Sequence, residues 1–398
     1  MMFSRRSFLT FLLEAGVATA CMGQQGISSP HTTAAPRGKP SGSPMRARFT
    51  DISQSAGLTH PVIYGPEDHK TYILETIGLT VVAADYDDDG WPDIYVACDS
   101  SPSLLLLNNH DGTFREQGAM RGVAYNSDGQ EQAGMGVAVN DYDLDGRLDI
   151  LKTNFAGDVP TLYHNEGRGV FDDAVREAGL AVENRYVAWG AGICDLDNDG
   201  LGDIFIVTGH VYPEIEARFP QFPLRTPRLL FHNIGHGRFE QVLPGAAGTA
   251  IDDPHCSRGC AFGDFDNDGD LDILIINLNE PPTLLRNDVP GTQHWLKIRL
   301  IGVRSNRSGI GARVVVETAE SMQTQELQSQ SSFLSANDPR LHFGLGKQTS
   351  ATVRVRWTDG SWESLGHVNA DQFLTAKEGK GIVSKERWGT LTPDRPHQ

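Results

Sequence analysis

A chain of 398 residues, 39% hydrophobic and 21% charged, is long and apolar enough to bury a large core. Its net charge of −17 excludes the basic footprint of a nucleic-acid binder. The excess is local, because sixteen of the 51 acidic residues are the repeated Asp of four nine-residue motifs and the rest nearly balance the 34 bases.

Residues 1–20 read as an export address. Ser4-Arg5-Arg6-Ser7-Phe8-Leu9 resembles a twin-arginine signal, and a modest apolar stretch follows, ending at Ala18-Thr19-Ala20. That stretch is short and contains Glu14, so it does not span a membrane as a mature helix. Two cleavage readings stand side by side. Ala-Thr-Ala suits an ordinary signal peptidase, while Ala-Thr-Ala-Cys also passes as a loose lipobox that would leave a lipid anchor on Cys21. Residues 21–48, rich in Ser, Pro, Gly and Thr, suit a flexible tether. The expected location is exported, in the periplasm or at the cell surface.

From Phe49 the chain alternates short β-branched and aromatic runs with Gly/Asn/Asp clusters, the pattern of an all-β protein. Four runs share one motif: Asp85-Tyr-Asp-Asp-Asp-Gly-Trp-Pro-Asp93, Asp141-Tyr-Asp-Leu-Asp-Gly-Arg-Leu-Asp149, Asp195-Leu-Asp-Asn-Asp-Gly-Leu-Gly-Asp203 and Asp264-Phe-Asp-Asn-Asp-Gly-Asp-Leu-Asp272. Their starts are 56, 54 and 69 residues apart, a period that suggests a propeller with one β-unit per repeat. A second landmark keeps phase with the first. Asn108, Asn165, Asn233 and Asn287 close an apolar run, and Gly-x-Phe follows in the first three, ending at Phe114, Phe171 and Phe239. Each unit therefore reads as a strand into the Asp loop, a strand out, a third ending at the Asn and a fourth starting at the Phe.

Two irregularities stand out. The third repeat carries an insertion at Tyr212–Pro227, Pro-rich and aromatic, which suits either a binding loop or a tolerated surface excursion. Phe49-Thr-Asp-Ile-Ser-Gln-Ser-Ala-Gly-Leu58 matches Phe171–Leu180 in register, so the N-terminus holds a fourth strand without the other three. The fourth repeat lacks that strand, and a ring that borrows it from the N-terminus would close both accounts.

The motif specifies oxygen coordination of a hard cation. Side chains at positions 1, 3, 5 and 9 supply carboxylates, the glycine at position 6 allows the sharp turn, and the residue at position 7 offers its carbonyl. The ligands predicted are Asp85, Asp87, Asp89, Trp91 and Asp93; Asp141, Asp143, Asp145, Arg147 and Asp149; Asp195, Asp197, Asp199, Leu201 and Asp203; Asp264, Asp266, Asp268, Asp270 and Asp272. Such a shell suits Ca²⁺, about four ions in all, with dissociation constants of roughly 10⁻⁶ to 10⁻³ M. Position 12 holds Val96, Lys152, Ile206 and Ile275 where an EF-hand needs Glu, and the flanks are strands, so no EF-hand is present.

Beyond Cys21 the cysteines are Cys98, Cys194, Cys256 and Cys260. Cys98 and Cys194 lie in apolar strands and read as buried free thiols, while Cys256 and Cys260 either close a small loop or, with His255, hold a soft metal. The C-terminal region reads as all-β, with a half-buried hairpin around Asp359-Gly360.

On these motifs the chain resembles the FG-GAP/VCBS repeat group and, more narrowly, the cartilage acidic protein family with its C-terminal ASPIC/UnbV module. The second likeness rests on His294-Trp-Leu-Lys-Ile-Arg-Leu300, Ser305–Arg313, Leu341-His-Phe-Gly-Leu-Gly346 and Val353-Arg-Val-Arg-Trp357. It implies an integrin-like β-propeller of up to seven blades over residues 49–290, an ASPIC/UnbV β domain over 291–380 and a tail over 381–398. Strands beyond residue 290 are expected to complete the ring. No established activity comes with the resemblance. The expected function is a non-enzymatic binding or scaffold module that presents loops to a protein or glycan. The rival is a calcium-dependent polysaccharide lyase, with a base and a neutralising group drawn from His60, His69, His210, Tyr212, His255 and Arg258.

Overall fold

The computed structural model describes residues 38–39, 42, 45–52, 55, 80–99 and 101–387. The export segment with Cys21, nearly all of the linker, His60, His69 and residues 388–398 lie outside them. The short strand β1 (Phe49–Asp51) precedes three sheets of sequential antiparallel strands. Blade 1 is β2 (Thr80–Ala84), β3 (Asp93–Ala97), β4 (Leu104–Asn108) and β5 (Phe114–Glu116). Blade 2 is β6 (Val137–Asn140), β7 (Asp149–Lys152), β8 (Thr161–Gly167) and β9 (Val170–Asp173). Blade 3 is β10 (Ala188–Cys194), β11 (Asp203–Thr208), β12 (Leu229–Asn233) and β13 (Phe239–Gln241).

Blade 4 has β14 (Ser257–Gly263), β15 (Asp272–Asn277) and β16 (Thr283–Asn287) from its own repeat, and β1 pairs with β16 as its outer strand. Phe49 stands opposite Asn287, just as Phe114 faces Asn108, Phe171 faces Asn165 and Phe239 faces Asn233. The borrowed strand thus occupies the same register as the three native ones and covers an edge that would otherwise be open.

Apolar clusters join consecutive blades. Tyr86, Tyr95 and Leu105 of blade 1 pack with Leu148, Ile150 and Tyr163 of blade 2, while Leu151 and Leu162 pack with Ile204 and Phe231 of blade 3. A third cluster unites blades 3 and 4 with Phe49 and contains Trp189, Phe205, Phe262 and Ile273.

The remaining strands do not add blades. β17 (His294–Ile301), β18 (Arg313–Glu317), β19 (Met322–Glu326), β20 (Leu341–Gly346), β21 (Ser350–Arg356), β22 (Trp362–Asn369), β23 (Gln372–Lys377) and β24 (Gly381–Arg387) form two further sheets. Their orders are β20-β17-β23-β24 and β19-β18-β21-β22, and β17 runs parallel to β23. One apolar cluster, including Leu296, Val314, Phe343, Val353 and Trp357, lies between them. The described residues therefore hold four sheets of blade topology and a separate two-sheet module, which corrects the expectation that these strands complete the ring. The parallel pair and the module's own core are the physical reason: a meander blade has neither.

The module reaches into the ring instead. Between β19 and β20, Ser332 exchanges two backbone hydrogen bonds with Val137 of β6, and its hydroxyl accepts from Ala191 N–H of β10 at 3.1 Å. The same hydroxyl sits 3.2 Å from Cys260 Sγ of β14, and Gln330 Nε2 donates to Val81 O of β2. The first strands of all four blades thus meet one short segment, which marks the axis. Phe333 anchors it against Trp189, ring centroids 5.0 Å apart.

Candidate metal centres

Each Asp loop is the turn between the first and second strands of its blade, and one hydrogen-bond plan recurs. The position 9 carboxylate accepts from the backbone N–H of position 2 and from the Asn that ends the third strand. Tyr86 and Asn108 donate to Asp93, Tyr142 and Asn165 to Asp149, Leu196 and Asn233 to Asp203, Phe265 and Asn287 to Asp272. The position 1 carboxylate accepts the backbone N–H of the loop glycine (Gly90, Gly146, Gly200 or Gly269) in every copy, at 2.7–3.1 Å. Those glycines have φ between 89° and 103°, the left-handed region in which a side chain would be strained. The N–H at position 7 (Trp91, Arg147, Leu201, Asp270) donates to the carboxylate at position 5.

The same Asn residues tie neighbouring loops together. Asn165 Nδ2 donates to Tyr86 O in loop 1, Asn233 Nδ2 to Tyr142 O in loop 2, and Asn287 Nδ2 to Leu196 O in loop 3. All four loops consequently share one face of the ring.

Burial makes this face electrostatically costly. Positions 1 and 9 are at most 6% exposed in every loop. Desolvation, aided by neighbouring carboxylates, pushes Asp141 up to about 8 and Asp93 and Asp272 to about 7. Asp195 and Asp203 are displaced upward even more firmly for the same reasons. A carboxylate buried among carboxylates must hold a proton or a cation. Asp85 Oδ1, Asp87 Oδ1, Asp141 Oδ1 and Asp197 Oδ1 are buried with no hydrogen-bond partner, so they are the oxygens left to meet an ion. Asp85, Asp87 and Asp93 converge, as do Asp141, Asp143 and Asp145, and Asp264, Asp266 and Asp272. Such all-oxygen sets fit Ca²⁺.

Other contributors were invisible to motif reading. The module covers the loop face and sends cations to it. Arg356 pairs with Asp85, while Arg313 pairs with Asp88 and donates to Asp85 O. Lys297, 1% exposed, places Nζ 2.5 Å from Asp264 Oδ2, and Arg340 donates to Asp264 O. At loop 3, Gly344 comes so close that a Cβ there would lie 1.9 Å from Asp195 Oδ2. In loops 2 and 3 a histidine joins the carboxylates: His164 with Asp143 and Asp149, His232 with Asp197 and Asp199. Both directly precede the landmark Asn, which is the one sequence signal that could have found them.

The described lyase candidates, His210, Tyr212, His255 and Arg258, lie at the other end of the blades. β11 carries the chain six residues, roughly 20 Å, from its Asp loop before reaching His210. His210, Tyr212 and Arg258 do meet there. However, the Arg258 guanidinium lies 4.1 Å from the Trp189 ring centroid and donates to the carbonyls of Ser257, Gly209 and His210. His210 is buried, held down at about 4 by desolvation and by Arg258, and His255 instead pairs with Glu280. Among the described residues no metal-holding group lies beside them. These four described candidates therefore stand apart from the Asp loops.

Cys98, Cys194, Cys256 and Cys260 are free. Cys98 and Cys194 are half-buried, where fully buried thiols were expected. Cys256 Sγ donates to His210 O, and the extended β14 backbone separates it from Cys260, so neither the small loop nor the soft-metal site forms.

Repeated Asp loops on four-stranded sheets, with a β module docked on them, are similar to two known families, each over part of the chain. A model of the FG-GAP-like repeat matches residues 85–152, and one described as ASPIC and UnbV matches residues 302–383. The chain is similar to Cartilage acidic protein 1 of Homo sapiens, 29% identical over 280 residues, and to that of Mus musculus, 27% identical over 279. Those alignments cover 68% of this chain but only 39% and 40% of the relatives' length. Among solved structures, an Agrocybe aegerita lectin that recognises non-reducing terminal N-acetylglucosamine is similar at a TM-score of 0.32 and 15% identity. That match covers 73% of this chain and 81% of the lectin, and at this score carries no weight for ligand or fold.

Proposed function

We propose that this chain is an exported, calcium-stabilised propeller that binds a protein or glycan through its loops and catalyses no reaction. The observation that carries the calcium reading is the set of buried, unpartnered carboxylate oxygens at Asp85, Asp87, Asp141 and Asp197, each belonging to its own loop's acidic cluster. Bound ions would neutralise the loops and leave the blades' exposed features for recognition. Trp91, 46% exposed and stacked on His110, and Phe265, 51% exposed, stand on the loop face. The insertion at 212–227 exposes Phe219 at the opposite end.

Export rests on the N-terminal address. Among the described residues no helix is long and apolar enough to cross a membrane. Anchorage through Cys21 is read from sequence alone, as are the periplasmic and cell-surface locations. Relatedness to cartilage acidic proteins, together with the engagement of Arg258 by backbone carbonyls around His210, favours binding over lyase chemistry. The partner test is a pull-down of surface proteins and a glycan array, each with millimolar Ca²⁺ and with chelator. Calcium-dependent capture by the wild type, lost in a Trp91→Ala or Phe219→Ala variant, supports a loop-borne site. Release of unsaturated oligosaccharides from any polysaccharide offered would refute the non-enzymatic reading.

A further inference from the structure

The four loops are not chemically equal. We infer that loops 2 and 3 are mixed nitrogen–oxygen sites in which His164 and His232 ligate a first-row transition-metal dication, whereas loops 1 and 4 bind through oxygen alone. This rests on the reading that the loops hold divalent cations.

His232 is the stronger case. Its side chain is only 6% exposed, and Nε2 has no hydrogen-bond partner although it lies near two carboxylates. The distances are 3.6 Å to Asp197 Oδ2 and 3.9 Å to Asp199 Oδ2. Both exceed hydrogen-bonding range. Two ligands of one ion, each bonded at about 2.1 Å, stand about 3.0–3.4 Å apart, so a small contraction around a metal accounts for both gaps. A buried imidazole nitrogen beside a buried, unpartnered Asp197 Oδ1 otherwise leaves two polar atoms unsatisfied.

Loop 2 repeats the arrangement. His164 Nδ1 lies 3.3 Å from Asp149 Oδ1 and 3.6 Å from Asp143 Oδ2. The chain supplies its own control, because the same strand position is Leu107 in blade 1 and Arg286 in blade 4, and neither can ligate a metal. His110 Nε2 contacts Asp89 of loop 1, but its ring is 45% exposed and is not enclosed with the buried carboxylates as His232 is. An imidazole ligand shifts a carboxylate site away from Ca²⁺ and towards Mn²⁺ and the later dications.

The test uses the full, metal-stripped chain with Mn²⁺ as the probe and pulsed electron paramagnetic resonance as the readout. Nitrogen modulation of the bound Mn²⁺ signal is expected, and it should change from the ¹⁴N to the ¹⁵N pattern when the wild-type protein is labelled on histidine alone. That measurement needs no substitution, so folding cannot confound it. In the His164→Asn/His232→Asn double variant the modulation should vanish and Mn²⁺ affinity should fall about tenfold or more. Calcium-induced thermal stabilisation should survive in that variant through loops 1 and 4. A Mn²⁺ signal without nitrogen modulation, or one unchanged by histidine labelling, overturns the inference while leaving the calcium reading intact. Absence of any thermal shift with Ca²⁺ in the wild type would instead sink the calcium reading.

Discussion

The ring and the C-terminal module are both built from four-stranded sheets, yet they treat charge in opposite ways. The ring buries at least two carboxylates in each of four loops, at positions 1 and 9. The module keeps an apolar interior, with Leu296, Val314, Phe343 and Trp357 between its sheets, and places its cations at the border, where Arg313, Arg356, Lys297 and Arg340 meet the loops. The contrast teaches that dependence on ions is local. It belongs to the ring, and the module responds to it through contact.

The largest single effect should come from the segment that joins the two. Phe333 is 2% exposed against Trp189 on the ring's axis, and Phe333→Ala should cost about 3–5 kcal/mol and let ring and module unfold separately in denaturant. A single unshifted transition would show that the axial segment does not couple them. Lys297→Met comes next. It strips the buried cation from Asp264, so in chelator it should destabilise the ring by about 3 kcal/mol or more, and in millimolar Ca²⁺ by clearly less. Equal losses in both conditions would mean that the module's cations and the ions do not share the work of neutralisation.

Smaller still is Asn233→Ala. It leaves the carbonyls of Tyr142 and Gly202 without their buried donor and should cost about 1–3 kcal/mol by chemical denaturation, with the module unaffected.

The pH dependence sharpens the comparison furthest. Carboxylates raised in the folded state stabilise the ion-free ring below about pH 4, where both states are protonated. Their contribution is lost as pH rises through the folded values, about 7 for Asp93 and Asp272 and about 8 for Asp141. The ion-free ring should therefore weaken steadily from about pH 4 to about pH 8. Ca²⁺ competes with those protons, so its stabilising effect should grow over the same window. A flat profile in chelator would refute the electrostatic strain assigned to the loops.

Much of the ring was legible because its signals are local and repeated. The Asp loops, the Asn–Phe register and the orphan strand at Phe49 all follow from spacing along the chain, and the pairing of Phe49 with Asn287 completes the pattern. The Asn staples between blades were not legible, since Asn165 and Tyr86 are 79 residues apart and only packing brings them together. The same holds for Arg313 at loop 1, for Ser332 at the axis and for the place of the strands beyond residue 290. His164 and His232 were in view beside a landmark residue, but a histidine in a strand shows its purpose only when the neighbouring loop is seen to turn towards it.

Differential scanning calorimetry of the full chain, in millimolar Ca²⁺ and after chelation, bears most directly on the claim that ions hold the ring and not the module. In the Phe333→Ala background, where ring and module unfold separately, the ring's transition should fall by about 10 °C or more on chelation and recover when Ca²⁺ is restored, while the module's own transition keeps its position. A ring transition that stays in place without divalent cations would contradict that claim.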